Sequence, residues 1–447
     1  MMKRIISAFC IAVCVASAAG AQGAKTNFVA SQYWTWYSPG QKAPMWDGVA
    51  YGKPVEGAYD SNDPLVASRH IKAMVDNGVN VLSVGTFNRA GDGTIWNADK
   101  IDNDKAFRNG VMKAPNFRDI KFFISYDLAT RAMLVHRAEN GLQWGFPKGK
   151  DVLPDVEFFD PAVAESEGAN GFPSFNFNLK DKNGKWMYDE LMLYDFKSFA
   201  ENYFKEPNYL KINGQCVVFI YSSWRFNNGG VGEDAAGFSR ALVNIRNTMY
   251  EKYGYTLYLA GDFVSYYNKG RIPYQKSQNY YGQYDAIAGW NVYDDVYANS
   301  LGKWTSLSTY TDASKRVQDA FLPEAKSATR VYRDSLSEAA RAAYGSSSVA
   351  LDFIPTLSFS FRRFNASSGF KSNAADTSEL VKEASMVKAL RDKSRMAESD
   401  STLVYHIAFN QWNEGQVIEP MILDEKDPYP AKAGMRYLET IRDVLGF

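Results

Sequence analysis

Groups that can move protons or hold flat ligands crowd one segment, Phe409-Asn410-Gln411-Trp412-Asn413-Glu414-Gly415-Gln416-Val417-Ile418-Glu419-Pro420. Glu414 can give or take a proton. Asn410 and Gln411 carry amides that donate and accept hydrogen bonds. Trp412 has an apolar face with a polar edge. Two more carboxylates close apolar runs, Asp127 after Tyr126 and Asp262 after Gly261. Tyr33, Trp36, Tyr221 and Trp290 stand at comparable places. Aromatic faces beside a few carboxylates and amides describe a site for sugar rings. Breaking a glycosidic bond needs an acid for the leaving oxygen and usually a second carboxylate as base or nucleophile. Glu414, Asp127 and Asp262 are the catalytic candidates. Gln411, Asn410, Trp412, Tyr33, Trp36, Tyr221 and Trp290 are the candidates for substrate binding. Such chemistry requires no cofactor. His70, His136 and His406 are too scattered for a histidine-based metal site, and no Ser/His/Asp set stands out.

Something rigid must bring these residues together. Short apolar runs alternate with helical patterns along the chain. The expected strands are Phe28–Trp36, Val79–Val84, Lys121–Tyr126, Cys216–Tyr221, Leu257–Gly261, Asp285–Gly289, Phe353–Leu357 and Val404–Phe409. Near-continuous apolar runs fit strands buried on both faces, as in a parallel sheet. Asp63 and Pro64 open a helix whose Ala67, Ile71, Met74 and Val75 share a face, and Gly78 ends it. Asp127 is equally placed to cap a helix over Leu128–Arg137. Further helices are expected near Asn103–Met112, around Met192–Tyr203, and over Ala235–Lys252, Ala313–Ala343 and Ala433–Val444. Asp376 and Glu379 form a capping-box pair before another. The Gly-, Pro- and Asn-rich stretch Gly141–Lys185 is expected to be a long loop insertion. Strand-helix alternation of this kind predicts an α/β fold, a (β/α)8 TIM-type barrel with long loop insertions. In such a barrel the chemistry gathers at the C-terminal ends of the strands, where most of the residues above fall.

Composition narrows the function classes. The 447 residues carry 50 Lys+Arg against 50 Asp+Glu, so no surplus of positive charge exists for nucleic acid. Hydrophobic residues at 46% exclude a disordered chain. Aromatic residues reach 15%, which fits either a large core or a stacking site. Gly229-Gly230-Val231-Gly232 matches no phosphate-binding fingerprint. Lys3 and Arg4 precede the apolar run Ile5–Ala16, and Ala19-Gly20-Ala21 suits signal cleavage. The expectation is a signal peptide over 1–21, a single domain over 22–447, and a secreted or periplasmic protein without a later transmembrane segment. Cleavage would leave Cys216 alone in a buried-strand pattern, a small hydrophobe rather than a nucleophile.

The C-terminal segment resembles the Asn-Glu-Trp-x-Glu-Gly-x-x-Ile-Glu-Pro signature of glycoside hydrolase family 99 and its relatives, which include WbsX-like proteins. Tyr33-Trp34-Thr35-Trp36-Tyr37 is similar to that family's aromatic first strand. His70 to Val84, and Pro207-Asn208-Tyr209-Leu210-Lys211-Ile212-Asn213-Gly214 leading into Val217–Tyr221, are similar to two further stretches. The resemblance implies a (β/α)8 barrel that cleaves α-mannosidic linkages internally and with retention. It implies Glu414 as general acid/base. The family's first motif Glu, which assists the substrate's own 2-hydroxyl, falls on Gln411, and an amide cannot take a proton as a carboxylate does. Three accounts stand open. Asp127 or Asp262 supplies the base; or Gln411 only orients the sugar while water attacks with inversion; or the protein is a glycan-binding protein that cuts nothing. In each, the partner is a polysaccharide or oligosaccharide. A biosynthetic glycan transferase fits poorly with an export signal. Glu419 reads as a loop anchor. Trp36, Trp290 and Trp412 read equally well as packing at the barrel mouth. Arg362 and Arg363 are placed to meet an acidic sugar. Asp99, Asp102 and Asp104 read as a solvated turn.

Overall fold

The computed structural model describes residues 26–41, 46, 52–86, 101–140, 153–166, 176–221, 223, 235–262, 281–289, 307–345, 349–365, 369–374, 377–394, 401–412, 416–423 and 435–446. The stretch read as an export signal, and the candidates Glu414 and Trp290, lie outside the described residues.

The barrel strands are β1 Asn27–Tyr33, β2 Val81–Thr86, β3 Lys121–Tyr126, β4 Gln215–Ile220, β5 Leu257–Asp262, β6 Ala286–Ala288, β7 Asp352–Ile354 with Thr356–Leu357, and β8 Thr402–His406. Each pairs in parallel with the next, and β8 returns to β1, so the sheet closes on itself. Pro355 divides β7. Proline lacks the N–H that a ladder needs, but its carbonyl still accepts the Tyr405 amide at 3.0 Å. The first part of β7 bonds to β6 and the second to β8. With helices between the strands, this is a (β/α)8 barrel.

The strands form where the apolar runs lie because both of their faces are covered. All six residues of β2, β4 and β5 are buried. Inside the barrel the rings of Phe219 and Tyr405 stack, centroids 4.7 Å apart and 12° from parallel. Entry to β4 is set locally. Asn213 and Gly214 both take positive φ (51° and 78°) in a two-residue turn that pairs Lys211–Ile212 with Gln215–Cys216. Cys216 is buried, and burial pushes its thiol up to about 12, which suits a packing residue and not a nucleophile.

The helices follow local signals in most places. Pro64–Val75 is capped by the Asp63 side chain and buries Val66, Ala67, His70, Ile71 and Met74, whereas Val75 is only partly buried. Leu128–Glu139 is capped by Asp127. Met187–Phe199 runs on into a wider turn, Ala200–Phe204. The expected helix Ala313–Ala343 is instead two, Leu307–Ser327 and Glu338–Tyr344. The break brings the buried Arg330 to Asp352 at 3.1 Å and Asp285 at 3.6 Å, beside the first residues of β7 and β6. Between the two helices Val331–Ser335 forms a tighter turn, and Ser337 caps the second helix. The expected loop over 141–185 contains the short helix Pro161–Ser166. Beyond β7, Ser360–Asn365 and Gly369–Ala374 form an antiparallel hairpin that the sequence did not suggest. Among the described residues no helix is long and apolar enough to cross a membrane.

Candidate active site

The phase of β1 decides what the barrel interior contains. Side chains alternate along a strand. Gln32 lies on the inner face, where its Oε1 accepts from Ser83 Oγ at 2.8 Å and Tyr405 Oη at 2.5 Å. Tyr33, its neighbour, lies on the opposite face and meets His70 of the Pro64–Val75 helix, Oη to Nδ1 at 2.8 Å. Trp34 shares the face of Gln32 and stacks on Trp36, centroids 4.0 Å apart and 8° from parallel. Gly85 makes room for them. A Cβ there would lie 2.3 Å from Trp34 Cζ3 and 2.4 Å from Gln32 Nε2.

Asp262 is the last residue of β5 and is fully buried. Its charge acts on two hydroxyls, Tyr405 and Tyr284. Burial holds both of these well above the usual tyrosine range, and Asp262 adds to the effect. Tyr221, partly buried at the end of β4, acts on Tyr405 in the same sense. Ser83 and Ser125 hydrogen-bond the Tyr405 hydroxyl and pull the other way. By strand alternation and register, Tyr405, Gln32, Ser83, Ser125 and Asp262 all lie on the inner face, which they share with Phe123, Phe219 and small residues such as Ala260 and Ala286. A carboxylate among neutral hydroxyls and an amide is equipped to bind sugar hydroxyls or to hold a proton.

Asp127 is employed differently. Its carboxylate accepts the Thr130 amide at 3.0 Å and the Thr130 hydroxyl at 2.7 Å, the geometry of a helix cap.

Beyond β8, Asn410–Gln411 pairs with Gln416–Val417 in a small antiparallel hairpin. Asn410 fastens it to the chain after β1. Its Oδ1 accepts the Trp34 amide at 2.8 Å, and its Nδ2 donates to the Trp34 carbonyl at 2.8 Å. Tyr37 Oη donates to the Asn410 carbonyl at 2.6 Å and accepts the Trp412 amide at 3.0 Å. Glu419 is the centre of the buried support behind the hairpin. Its Oε2 accepts from Trp412 Nε1 at 2.7 Å and Tyr59 Oη at 3.0 Å. His70 Nε2 stands 3.0 Å from Oε1. That approach is off the line of a well-directed hydrogen bond, so it is an electrostatic contact first. Burial, then the Glu419 charge, holds the hydroxyls of Tyr33 and Tyr59 well above the usual range, so both stay protonated.

The structure therefore sorts the candidates into groups. Asp262 and Tyr221 both act on the Tyr405 hydroxyl. Tyr33, Asn410 and Trp412 are buried, with polar atoms bonded into the support around Glu419, which is the loop anchor expected of it. Trp36 is buried against Trp34. Gln411 is buried in the hairpin. Sequence reasoning overlooked Gln32, Trp34, Tyr59 and Tyr405. The two-residue alternation of β1 and β8 is the signal that marks Gln32 and Tyr405 for the inner face; Tyr59 lies on neither strand.

Closed parallel strands with a lumen of this kind can be compared with solved structures. The chain is similar in fold to a glycoside hydrolase-like protein. That structure superposes with a TM-score of 0.53 at 16% identity, over 95% of this chain and 95% of the other. Two structures of a GH99 endo-alpha-mannosidase from Bacteroides thetaiotaomicron align at 14% identity. Their TM-scores are 0.47 and 0.49, over 93% and 92% of this chain and 94% and 95% of theirs. No protein-family model and no curated protein matches the chain. At this identity the likeness shows the fold, a (β/α)8 barrel shared with a glycoside hydrolase-like protein.

Proposed function

We propose that this protein is an exported glycoside hydrolase that cuts within an α-linked polysaccharide or oligosaccharide. Glu414 is the general acid and Asp262 the second carboxylate. The observation that carries this reading is Asp262 itself, a buried carboxylate ending a barrel strand on the inner face, beside Tyr221, Tyr405 and Tyr284. The shared fold and the motif around Glu414 support the reaction class. The motif resemblance supports a mannan-like substrate, and the Lys3–Ala21 sequence supports export.

Each chain group has a definite task in this reading. Glu414 protonates the glycosidic oxygen as the bond to the anomeric carbon breaks. Asp262 either attacks that carbon or takes a proton from the water that does. The neutral hydroxyls of Tyr405 and Tyr221 hold sugar hydroxyls without adding charge. Gln411 stands where the related motif has a carboxylate, and it orients the sugar by its amide. The two roles of Asp262 differ in the anomer released. A carboxylate pair about 5 Å apart favours covalent attack with retention, and a pair roughly 6.5–9.5 Å apart admits water and inverts.

The deciding experiment measures new reducing ends released from α-mannans, α-glucans and acidic polysaccharides by the protein and its Glu414→Gln and Asp262→Asn variants. Cleavage by the parent that each variant loses is the expected result. Cleavage that survives Glu414→Gln removes Glu414 from its role. Binding of a glycan without cleavage by the parent would instead favour a glycan-binding protein, the reading that Gln411 in place of a carboxylate supports.

A further inference from the structure

We propose that Gln416 is a specificity-determining residue whose side-chain amide, beside Gln411, takes two neighbouring hydroxyls of a neutral sugar ring. The inference rests on the reading of this protein as one that takes a glycan.

Gln416 is fully buried, and neither its Oε1 nor its Nε2 has a hydrogen-bond partner. Such a burial is unfavourable, because water has been stripped from a donor and an acceptor and nothing has replaced it. Met or Leu would fill a similar space without that loss. An amide in this place is suited to a ligand that supplies both partners.

The hairpin shows which way the amide faces. Gln411 pairs with Gln416, and Asn410 with Val417. Residues directly opposite in an antiparallel pair lie on one face, and the next pair lies on the other. Asn410 and Val417 hold the face turned to the outer helices. Asn410 Nδ2 donates to Tyr59 Oη at 3.2 Å. Tyr59 bonds in turn to Glu419, which stands 3.0 Å from His70 of the Pro64–Val75 helix. Val417 is buried in the core. Gln411 and Gln416 therefore share the face turned away from that helix. The usual spacing of such a pair puts their Cβ atoms about 5 Å apart. Even so, the Gln416 amide makes no bond to Gln411.

The chemistry of the occupant follows from the amide. It offers N–H donors and a carbonyl acceptor side by side. Two hydroxyls on adjacent ring carbons match it, one accepting from Nε2 and the other donating to Oε1. The carboxylate of an acidic sugar has no proton for Oε1 and would set its charge against that oxygen, so the amide favours a neutral ring. The bonds form out of water once the glycan has docked. There a buried polar group discriminates most strongly against a ligand that lacks its partner. Gln411, on the same face, orients the same ring.

The test uses the full chain, its Gln416→Met and Gln416→Leu variants, and the oligosaccharide that the parent cuts or binds best, together with its monodeoxy analogues. Cleavage kinetics are measured where the parent cuts, and dissociation constants by calorimetry where it only binds. Thermal midpoints accompany both. Gln416→Met is expected to lower kcat/KM, or affinity, by about 10- to 100-fold, the scale of two neutral hydrogen bonds. Its thermal midpoint should stay level or rise, because a buried amide without partners has been removed. The parent should reject one or two of the deoxy analogues by a similar factor, and Gln416→Met should not reject those analogues further. Parental kcat/KM and parental discrimination in Gln416→Met would overturn the proposal and assign the amide to a buried water. Unfolding of both variants would overturn it too, by showing that the amide is bonded within the fold. Binding without cleavage defeats the hydrolase reading alone, and the affinities then decide the role of Gln416. A parent that takes no glycan defeats both.

Discussion

Asp127 and Thr130 form a closed local pair, with the carboxylate of the first taking both the amide and the hydroxyl of the second. The pair starts the Leu128–Glu139 helix, so one of the two aspartates that the sequence offered as a base already has a structural task. Asp127→Ala should lower stability by about 1 kcal/mol, the usual cost of a lost helix cap, and should leave kcat nearly intact. Denaturant unfolding and reducing-end assays on the same preparation check both halves. A kcat that falls by orders of magnitude would return Asp127 to the catalytic set.

Asp262 carries the opposite expectation. Asp262→Asn keeps the shape and removes the charge from the inner face. Activity should fall by about 100- to 10,000-fold, the range for losing a proton-transfer group. The thermal midpoint, measured on the same preparations, separates the loss of a proton-transfer group from a loss of fold. The anomer of the first product, followed by NMR in the parent, then tells whether Asp262 attacks carbon or activates water.

Gly85→Ala probes the aromatic wall. The added methyl would stand 2.3 Å from Trp34 Cζ3, so the ring and the Gln32 amide have to shift. The expected cost is about 1–3 kcal/mol of stability, as for other overpacked sites, together with weaker glycan binding seen as a higher KM. An unchanged KM would separate the Trp34–Trp36 stack from substrate contact.

Acid should attack the base of the barrel first. Burial pushes the Asp285 carboxyl up, but Arg246 and Arg330 more than offset this and hold it below its ordinary value of 3.8. A folded value below the unfolded one gives stability that is present above the unfolded value and lost as pH falls through the folded one. Asp285→Ala leaves buried guanidiniums without their partner and should cost about 3–5 kcal/mol. Urea unfolding between pH 7 and pH 3 measures the parent's loss, and the variant should show a shallower decline over the acid end.

Glu324 works in the reverse sense. Burial alone pushes its carboxyl up to about 7 from an ordinary 4.5. The folded chain then binds more protons than the unfolded chain between those values, so stability falls as pH rises through that window. Glu324→Gln should remove this slope, and the variant should gain on the parent by a thermal midpoint shift on the order of 1–3 °C at pH 8 compared with pH 4. Equal slopes would show that the carboxyl finds compensation when it ionises.

The sequence by itself determined the elements and their order. Apolar runs marked each barrel strand, Asp63-Pro64 and Asp127 started helices, and Asn213-Gly214 turned the chain into β4. These signals are legible because burial on both faces, helix capping and positive φ are decided within a few residues. The motif around Glu414 likewise stood out by residue type and spacing. Only the tertiary structure decided which side chains meet. One residue of phase along β1 turns Gln32 into the lumen and Tyr33 towards the Pro64–Val75 helix. The helix expected over Ala313–Ala343 is broken, and at the break the buried Arg330 meets Asp285 and Asp352. Glu419 collects Tyr59 and His70 from the far end of the chain. Alternation gives a strand two faces without saying which is inner, and a buried charge finds its partners only when the closing sheet brings distant residues to the same point.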